Sequence, residues 1–325
     1  MRHIHTYTLK TLVLTTLLML TACPSGSSSD SSAALLGLLG GGGGGSTNAS
    51  LPKCTSALCL NGNVSGLVSG ATLVIANGAK TYTLPENGSF GLNAQTDDNY
   101  TITVQTQPTT LRCIVTNGTG TVGAVSVNNV VVTCPMAYKN NLVWNRCTHG
   151  QQWNATTGDC TGTGNSGNGY GAIKVQYCST NDNACNDADA DGEIGVNGHL
   201  NGNGTSSLYS ACDSLNAIGG TYGYTTWRVP RRDEMKQLVL CSAGPTPPLA
   251  DEVQCAPGSV MPTINSALFP NTPATMGPYG SSSSTAGADY LHYRTNFSAG
   301  MTAGGYNKND FGSSEILVRC VSTGP

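Results

Sequence analysis

Hydrophobic and polar positions change their period along this chain, and the changes divide it. Residues 11 to 20, TLVLTTLLML, form one short continuous apolar run. Between residues 58 and 135 the pattern alternates instead, as in TLVIA (72–76), KTYTL (80–84), YTITVQT (100–106), RCIVT (112–116) and VVVTC (130–134). Period-two alternation predicts strands with one face buried. Asn77-Gly78, Asn87-Gly88 and Asn117-Gly118 separate these segments, and both residue types tolerate the positive φ of tight turns. About seven strands in this stretch predict a small all-β sandwich. The period then lengthens to a helical one. Leu208, Ala211, Cys212, Leu215 and Ile218 share one helical face, and Gly219-Gly220 stops the pattern. A second helix is expected to open at Pro230, with Asp233 and Glu234 at its positive end and Met235, Leu238 and Val239 buried. Short strand patterns return in DYLHYRTNF and EILVRCV near the end.

The apolar run has an address. Arg2 and Lys10 precede it with no acid between them, and small residues follow, which reads as a secretory signal too short to stay as a spanning helix. Its close, Leu20-Thr21-Ala22-Cys23, resembles the bacterial lipobox. That resemblance implies cleavage after residue 22 and acylation of Cys23, with palmitate-type chains each contributing about 0.8 kcal/mol per buried CH₂. Pro24 follows the cysteine in place of an aspartate, which favours the outer membrane. Residues 23–53 then carry six consecutive glycines among serines and form a lipidated flexible tether averaging roughly 30 Å in span.

Cysteine parity fits export. Of 13 cysteines, Cys23 goes to lipid and an even number remains, which suits disulfides in an oxidising compartment. No CxxC occurs, so zinc is disfavoured. Only 10% of residues are charged and the net charge is −3, a balance that argues against nucleic acid as partner. The segment LVWNRCTHGQQWNATTGDCTGT, with Cys147 and Cys160, reads as a stapled hairpin.

Two further resemblances set the fold class. Residues 54–135 are similar to immunoglobulin-like modules of bacterial surface lipoproteins, which implies a Cys113–Cys134 pair, with Cys54 and Cys59 closing a small entrance loop. Residues 136–325 carry Trp227-Arg228-Val229-Pro230 with Glu234, then Phe269-Pro270-Asn271-Thr272, then Tyr279 before Ser281–Ser284, then Leu317-Val318-Arg319-Cys320-Val321. In that order these motifs resemble the Lcl C-terminal domain family, named for a collagen-like bacterial adhesin. Similar features occur in C-type-lectin-like folds, which implies two helices flanking a mostly antiparallel sheet. The expected whole is multidomain: a signal peptide (1–22), the tether (23–53), an all-β sandwich (54–135), and an α+β C-type-lectin-like domain stapled by disulfides (136–325). The lectin-like resemblance implies a Cys212–Cys320 pair and leaves Cys241 with Cys255 and Cys178 with Cys185. Two departures stand out. Arg231 replaces the family's threonine, so the Thr-x-x-Glu capping box with Glu234 is expected to be lost and the helix to be less well capped. Gly280 replaces an aromatic before the serine run.

Candidate chemistry is sparse. Asp187, Asp189, Asp191 and Glu193, with Gly192 and Ile194, match the first eight positions of an EF-hand calcium loop. Position twelve is Gly198, so the bidentate glutamate is missing, and calcium and a solvated acidic turn both stay open. Catalysis finds no support: no G-x-S-x-G precedes a helix, His149, His199 and His292 lie apart in sequence, and Ser281–Ser284 read as a surface loop. The expected function is that of a lipid-anchored, surface-displayed adhesin. It binds an extracellular glycan or protein ligand through Arg231, Arg232, Lys236 and Arg294. The alternative is a structural or assembly subunit of the envelope, contacting other surface proteins or a second copy.

Overall fold

The computed structural model describes residues 50–178, 205–285, 288–308 and 315–324; of Asp289 only the backbone is described. These residues belong to the unit Asn48–Pro325. It is β-rich, with few helices and several disulfides.

The alternating segments pair as their patterns require. β1 (Leu58–Ser65), β2 (Leu73–Asn77), β3 (Lys80–Leu84), β4 (Gly88–Ala94), β5 (Asn99–Thr106), β6 (Leu111–Thr116) and β7 (Thr119–Thr121) precede a long β8 (Val127–Lys139). One sheet runs β3-β2-β5-β7. Leu73, Ile75 and Ile102 on its inner face share a core with Leu60, Val64, Val130 and Val132 of the neighbouring sheet. β9 (Leu142–Asn145), β10 (Gln151–Asn154) and β11 (Asp159–Gly162) follow. β10 and β11 form the hairpin that the Cys147–Cys160 disulfide closes.

β8 is the spine. Its first half pairs parallel with β1, ending at Ser65 opposite Thr133, and its second half pairs antiparallel with β9, beginning at Met136 opposite Asn145. Pro135 sits between the two stretches. A proline lacks the N–H that a ladder needs, so it is tolerated where one partner stops and the next starts. The boundary expected at 135/136 therefore falls inside a strand. The sheet continues through it, in the order β12-β16-β9-β8-β1-β4 with β6 on the other edge of β8, where β12 is Trp227–Arg228 and β16 is Val321–Ser322. The remaining sheet is β13 (Tyr279–Thr285), β14 (Ala288–Asn296) and β15 (Met301–Asn307).

Both helices are shorter than their patterns. α1 spans Ser207–Asp213, capped by Ser206, whose side chain accepts from the Tyr209 amide. Leu208, Ala211 and Cys212 are buried as the pattern requires, but Ile218 is fully exposed. The Ser214 hydroxyl bonds back to the Ala211 carbonyl, the chain tightens into a 3-10 turn over Ser214–Asn216, and the Asn216 amide clamps both main-chain groups of Trp227 at 2.7 and 2.8 Å. That clamp ends the helix before Ile218, and Gly219-Gly220, both at positive φ, turn the chain just after it. α2 spans Arg232–Lys236, and Met235, Leu238 and Val239 are buried although the last two lie beyond its end.

Among the described residues, disulfides join Cys54 to Cys59, Cys113 to Cys134, Cys147 to Cys160, Cys212 to Cys320 and Cys241 to Cys255. Cys178 is also disulfide-bonded; Cys185, its expected partner, lies outside the described residues. Cys212–Cys320 spans 108 residues and ties α1 to the strand-bearing tail. Combining Cys212→Ser with Cys320→Ser should lower unfolding free energy by roughly 4–5 kcal/mol in the chain-entropy account. Denaturant titration without reductant measures it, and a loss under about 1 kcal/mol contradicts that account.

Candidate functional site

The cations singled out on α2 are already engaged. Arg232 donates to Asp233 at 2.9 Å and to Asp251 at 3.3 Å, and its guanidinium lies 4.8 Å from the Tyr293 ring centre. The Lys236 ammonium is 2.9 Å from Asp251. The Asp233 hydrogen bond, above all, raises the Arg232 pKa, and the reciprocal bond from Arg232 lowers that of Asp233. Asp233 and Asp251 thus offset Arg232 and Lys236, which leaves this face less basic than Arg231, Arg232 and Lys236 imply in sequence. Arg231 is exposed.

The capping box is half preserved. Glu234 Oε2 accepts from the Arg231 amide at 2.7 Å, while the Arg231 guanidinium, which carries only donors, cannot complete the other half. The same carboxylate receives a bidentate pair from Arg228 at 2.7 and 2.6 Å. Trp227 and Arg228 are buried, so the motif Trp-Arg-Val-Pro anchors α2 to the core.

Arg294 stands elsewhere, on β14. Its Cζ lies 3.1 Å from the centre of the Tyr306 ring on β15, and both line an open cleft of about 250 Å³ with Pro278, Asn296, Met301 and Ala303. Gly280, the register partner of Arg294, does not border this cleft. A Cβ there would meet Ile316 at 2.5 Å and Leu208 at 3.1 Å. The missing aromatic is thus a matter of core filling, not of groove lining.

The serine run is not a surface loop. It forms β13, and Ser281, Ser282 and Ser284 are buried. Small residues leave room between β14 and α1, and each hydroxyl finds a partner. Ser281 donates to the Tyr293 carbonyl and Ser282 to that of Pro230, while Ser284 accepts from the buried Lys308 ammonium at 2.7 Å. His292 is opposite Ser284 in register, fully buried, its ring 4.4 Å from that of Tyr177. His149 is half-buried, and burial lowers its pKa. His199, Asp187, Asp189, Asp191, Glu193 and Cys23 lie outside the described residues. Among the described residues no group of three or more His, Cys, Asp or Glu is placed to hold a metal ion.

Two arginines that pattern reading passes over organise the interior. Arg146 donates to the carbonyls of Gly66, Cys134, Ala267 and Leu268, all at 2.7 Å. Arg319 donates to the carbonyls of Asn145 and Arg146 and to the hydroxyls of Thr148 and Thr272. Each precedes a cysteine inside an apolar stretch, Val-Trp-Asn-Arg-Cys and Leu-Val-Arg-Cys. An arginine fixed between a strand and a disulfide is the signal that could have found them.

Residues 137–322 match the family described as the Lcl C-terminal domain, over half of the 325-residue chain. No curated protein and no solved structure matches the chain.

His292 sets an acid limit. Burial first, then the Arg294 and Lys308 charges, push its pKa down to about 3, while its main-chain contact with Tyr293 works the other way. The folded state refuses a proton that the unfolded chain accepts below about 6.5, so stability is fully present above that pH and falls as pH drops toward 3. By pH 4 this site should cost on the order of 3 kcal/mol. Comparing unfolding free energies at several pH values in wild type and His292→Gln isolates it: the variant should lose much less on acidification, and parallel curves would refute the assignment.

Proposed function

The chain belongs to the Lcl C-terminal domain family, and we propose on that footing an adhesin-like lipoprotein that displays this domain to bind an extracellular glycan or matrix polymer without catalysis. Membership suggests a surface or adhesin-like role. The observation that carries ligand binding is the Arg294–Tyr306 stack. A guanidinium laid on an aromatic face inside an open cleft offers a flat apolar surface beside fixed donors, which suits the mixed C–H and hydroxyl faces of a sugar.

The modular reading belongs to this proposal. Residues 54–135 are read as an immunoglobulin-like sandwich, supported by two sheets sharing one core. The remainder is read as C-type-lectin-like, supported by α1, α2 and the long Cys212–Cys320 staple. In this reading β8 makes the sandwich a rigid stalk for the head, since a shared strand leaves no linker between them. Attachment rests on Cys23; among the described residues no helix is long and apolar enough to cross a membrane.

A second reading, an envelope assembly subunit, draws on exposed Leu240, Val260 and Met261 beside the Cys241–Cys255 staple. Crosslinking on intact cells that recovers one defined oligomer would favour it.

Two outcomes are expected. The mature chain on a glycan array, read at low and high salt, should give selective binding that Arg294→Ala weakens roughly tenfold; silence across the array counts against the proposal. Cys23→Ala should move the protein from the membrane to the soluble fraction, and mass spectrometry of the wild type should find residue 23 acylated. An unmodified residue 23 removes the anchor.

A further inference from the structure

A larger cleft lies away from Arg294, where four stretches of chain meet. The end of β1 with the loop after it (63–69), the turn at 87–88, the β10–β11 turn (156–158) and the loop 266–270 enclose about 580 Å³, within the size range of small-ligand sites. Its walls are held in place. Arg146 bonds the carbonyls of Gly66, Ala267 and Leu268 and so fixes two of these stretches to β8 through Cys134. The Asn87 side chain accepts from the Leu67 amide and donates to its carbonyl, both at 2.8 Å. Gly66 has φ +83°, and a Cβ there would meet Trp153 at 2.5 Å, so that wall is built around a glycine. A site ordered before binding loses little entropy on binding.

The lining is mostly hydroxyl and amide. Arg146 is the one charged residue in it, 2% exposed, with four of its five donors directed at backbone carbonyls. That leaves at most one of its donors for a ligand. What faces the space is hydroxyl and amide: Asn63, Ser69, Thr156 and Ser266, whose side chains make no hydrogen bond among the described residues. Each can both donate and accept, as can every hydroxyl of a sugar. Val68 and Pro270 supply apolar surface for the C–H faces of a ring.

We propose that this junction cleft binds a neutral oligosaccharide of two or three units, through Asn63, Ser69, Thr156 and Ser266. The proposal goes beyond the Arg294 reading and does not depend on it. Recognition is by hydroxyl and amide groups, so the affinity is insensitive to ionic strength.

The test is titration of the mature chain with a fixed panel of neutral probes, namely maltotriose, cellotriose and diacetylchitobiose, followed by calorimetry and saturation-transfer NMR. At least one probe should bind, with affinity changing less than about twofold between about 50 and about 500 mM NaCl. Thr156→Trp and Ser266→Trp, each at an exposed rim position, should weaken it roughly tenfold or more without shifting the thermal melt. Arg294→Ala should leave it unchanged, which separates this site from the β14–β15 cleft. Silence of all three probes overturns the proposal, as do binding that both rim variants spare, binding that Arg294→Ala abolishes, or a steep fall with salt. Triserine peptide serves as the competing neutral ligand, and its binding in preference to the sugars overturns the sugar assignment.

Discussion

The buried guanidinium of Arg146 is the constraint around which the rest is arranged. It is 2% exposed, and the adjacent Arg319 is fully buried. Among the described residues no carboxylate pairs with either. Two like charges in an apolar interior would be costly, and burial first, then the Arg319 charge, push the Arg146 pKa down to about 9. It still stays cationic at neutral pH. What compensates is backbone: carbonyl dipoles on four sides of Arg146, and carbonyls with threonine hydroxyls around Arg319. Aromatic faces add to this, Trp153 at 4.5 Å from Arg146 and Phe269 at 4.7 Å from Arg319. The acceptors of Arg146 come from three separate parts of the chain, at Gly66, at Cys134 in β8 and at 267–268, so meeting the demand of one cation ties two loops to a strand.

That dependence explains which features were legible in the sequence. Alternation in 58–135 and the apolar face of α1 report burial directly, because they depend only on local period. Ile218 broke the pattern since the end of α1 is decided by Asn216 reaching Trp227, a contact eleven residues away that no period encodes. The serine run misled for a related reason. Four serines look like a turn, but here small size is what lets β13 pack beneath α1, and its hydroxyls are satisfied by carbonyls and by Lys308. Gly280 follows the same logic, since Ile316 and Leu208 occupy the space a larger side chain would need. The cations of α2 were visible as residues, but their neutralisation by Asp251 was not, because that partner arrives from a separate loop.

The chain after β11 carries a long stretch with no regular structure, held by a disulfide and main-chain bonds. Between α2 and β13 the chain runs through residues 237–278 without a strand or a helix. The Cys241–Cys255 disulfide shortens its wandering, a main-chain bond from Leu240 to Thr263 closes it on itself, and bonds from Thr263 to Phe297 and from Cys255 to Ala299 dock it on the turn after β14. Gly300 is part of that docking: a Cβ there would lie 2.2 Å from the Cys255 sulfur. The far end of the same loop is pinned by Arg146 through Ala267 and Leu268.

A loop fixed at both ends presents its polar side chains in a set geometry, and this bears on how such a weakly charged protein can recognise anything. With a tenth of its residues charged and Arg232 and Lys236 each paired with carboxylates, long-range attraction contributes little. In the proposed role, binding then comes from short-range hydrogen bonds and ring contacts, each individually modest and each easily lost to the entropy of a mobile wall. Rigidity is what converts such groups into affinity. The same disulfides, buried arginines and shared strand that stabilise this loop-rich chain also hold the walls of both clefts, so under the proposed binding role the stability of the fold and recognition rest on one set of contacts.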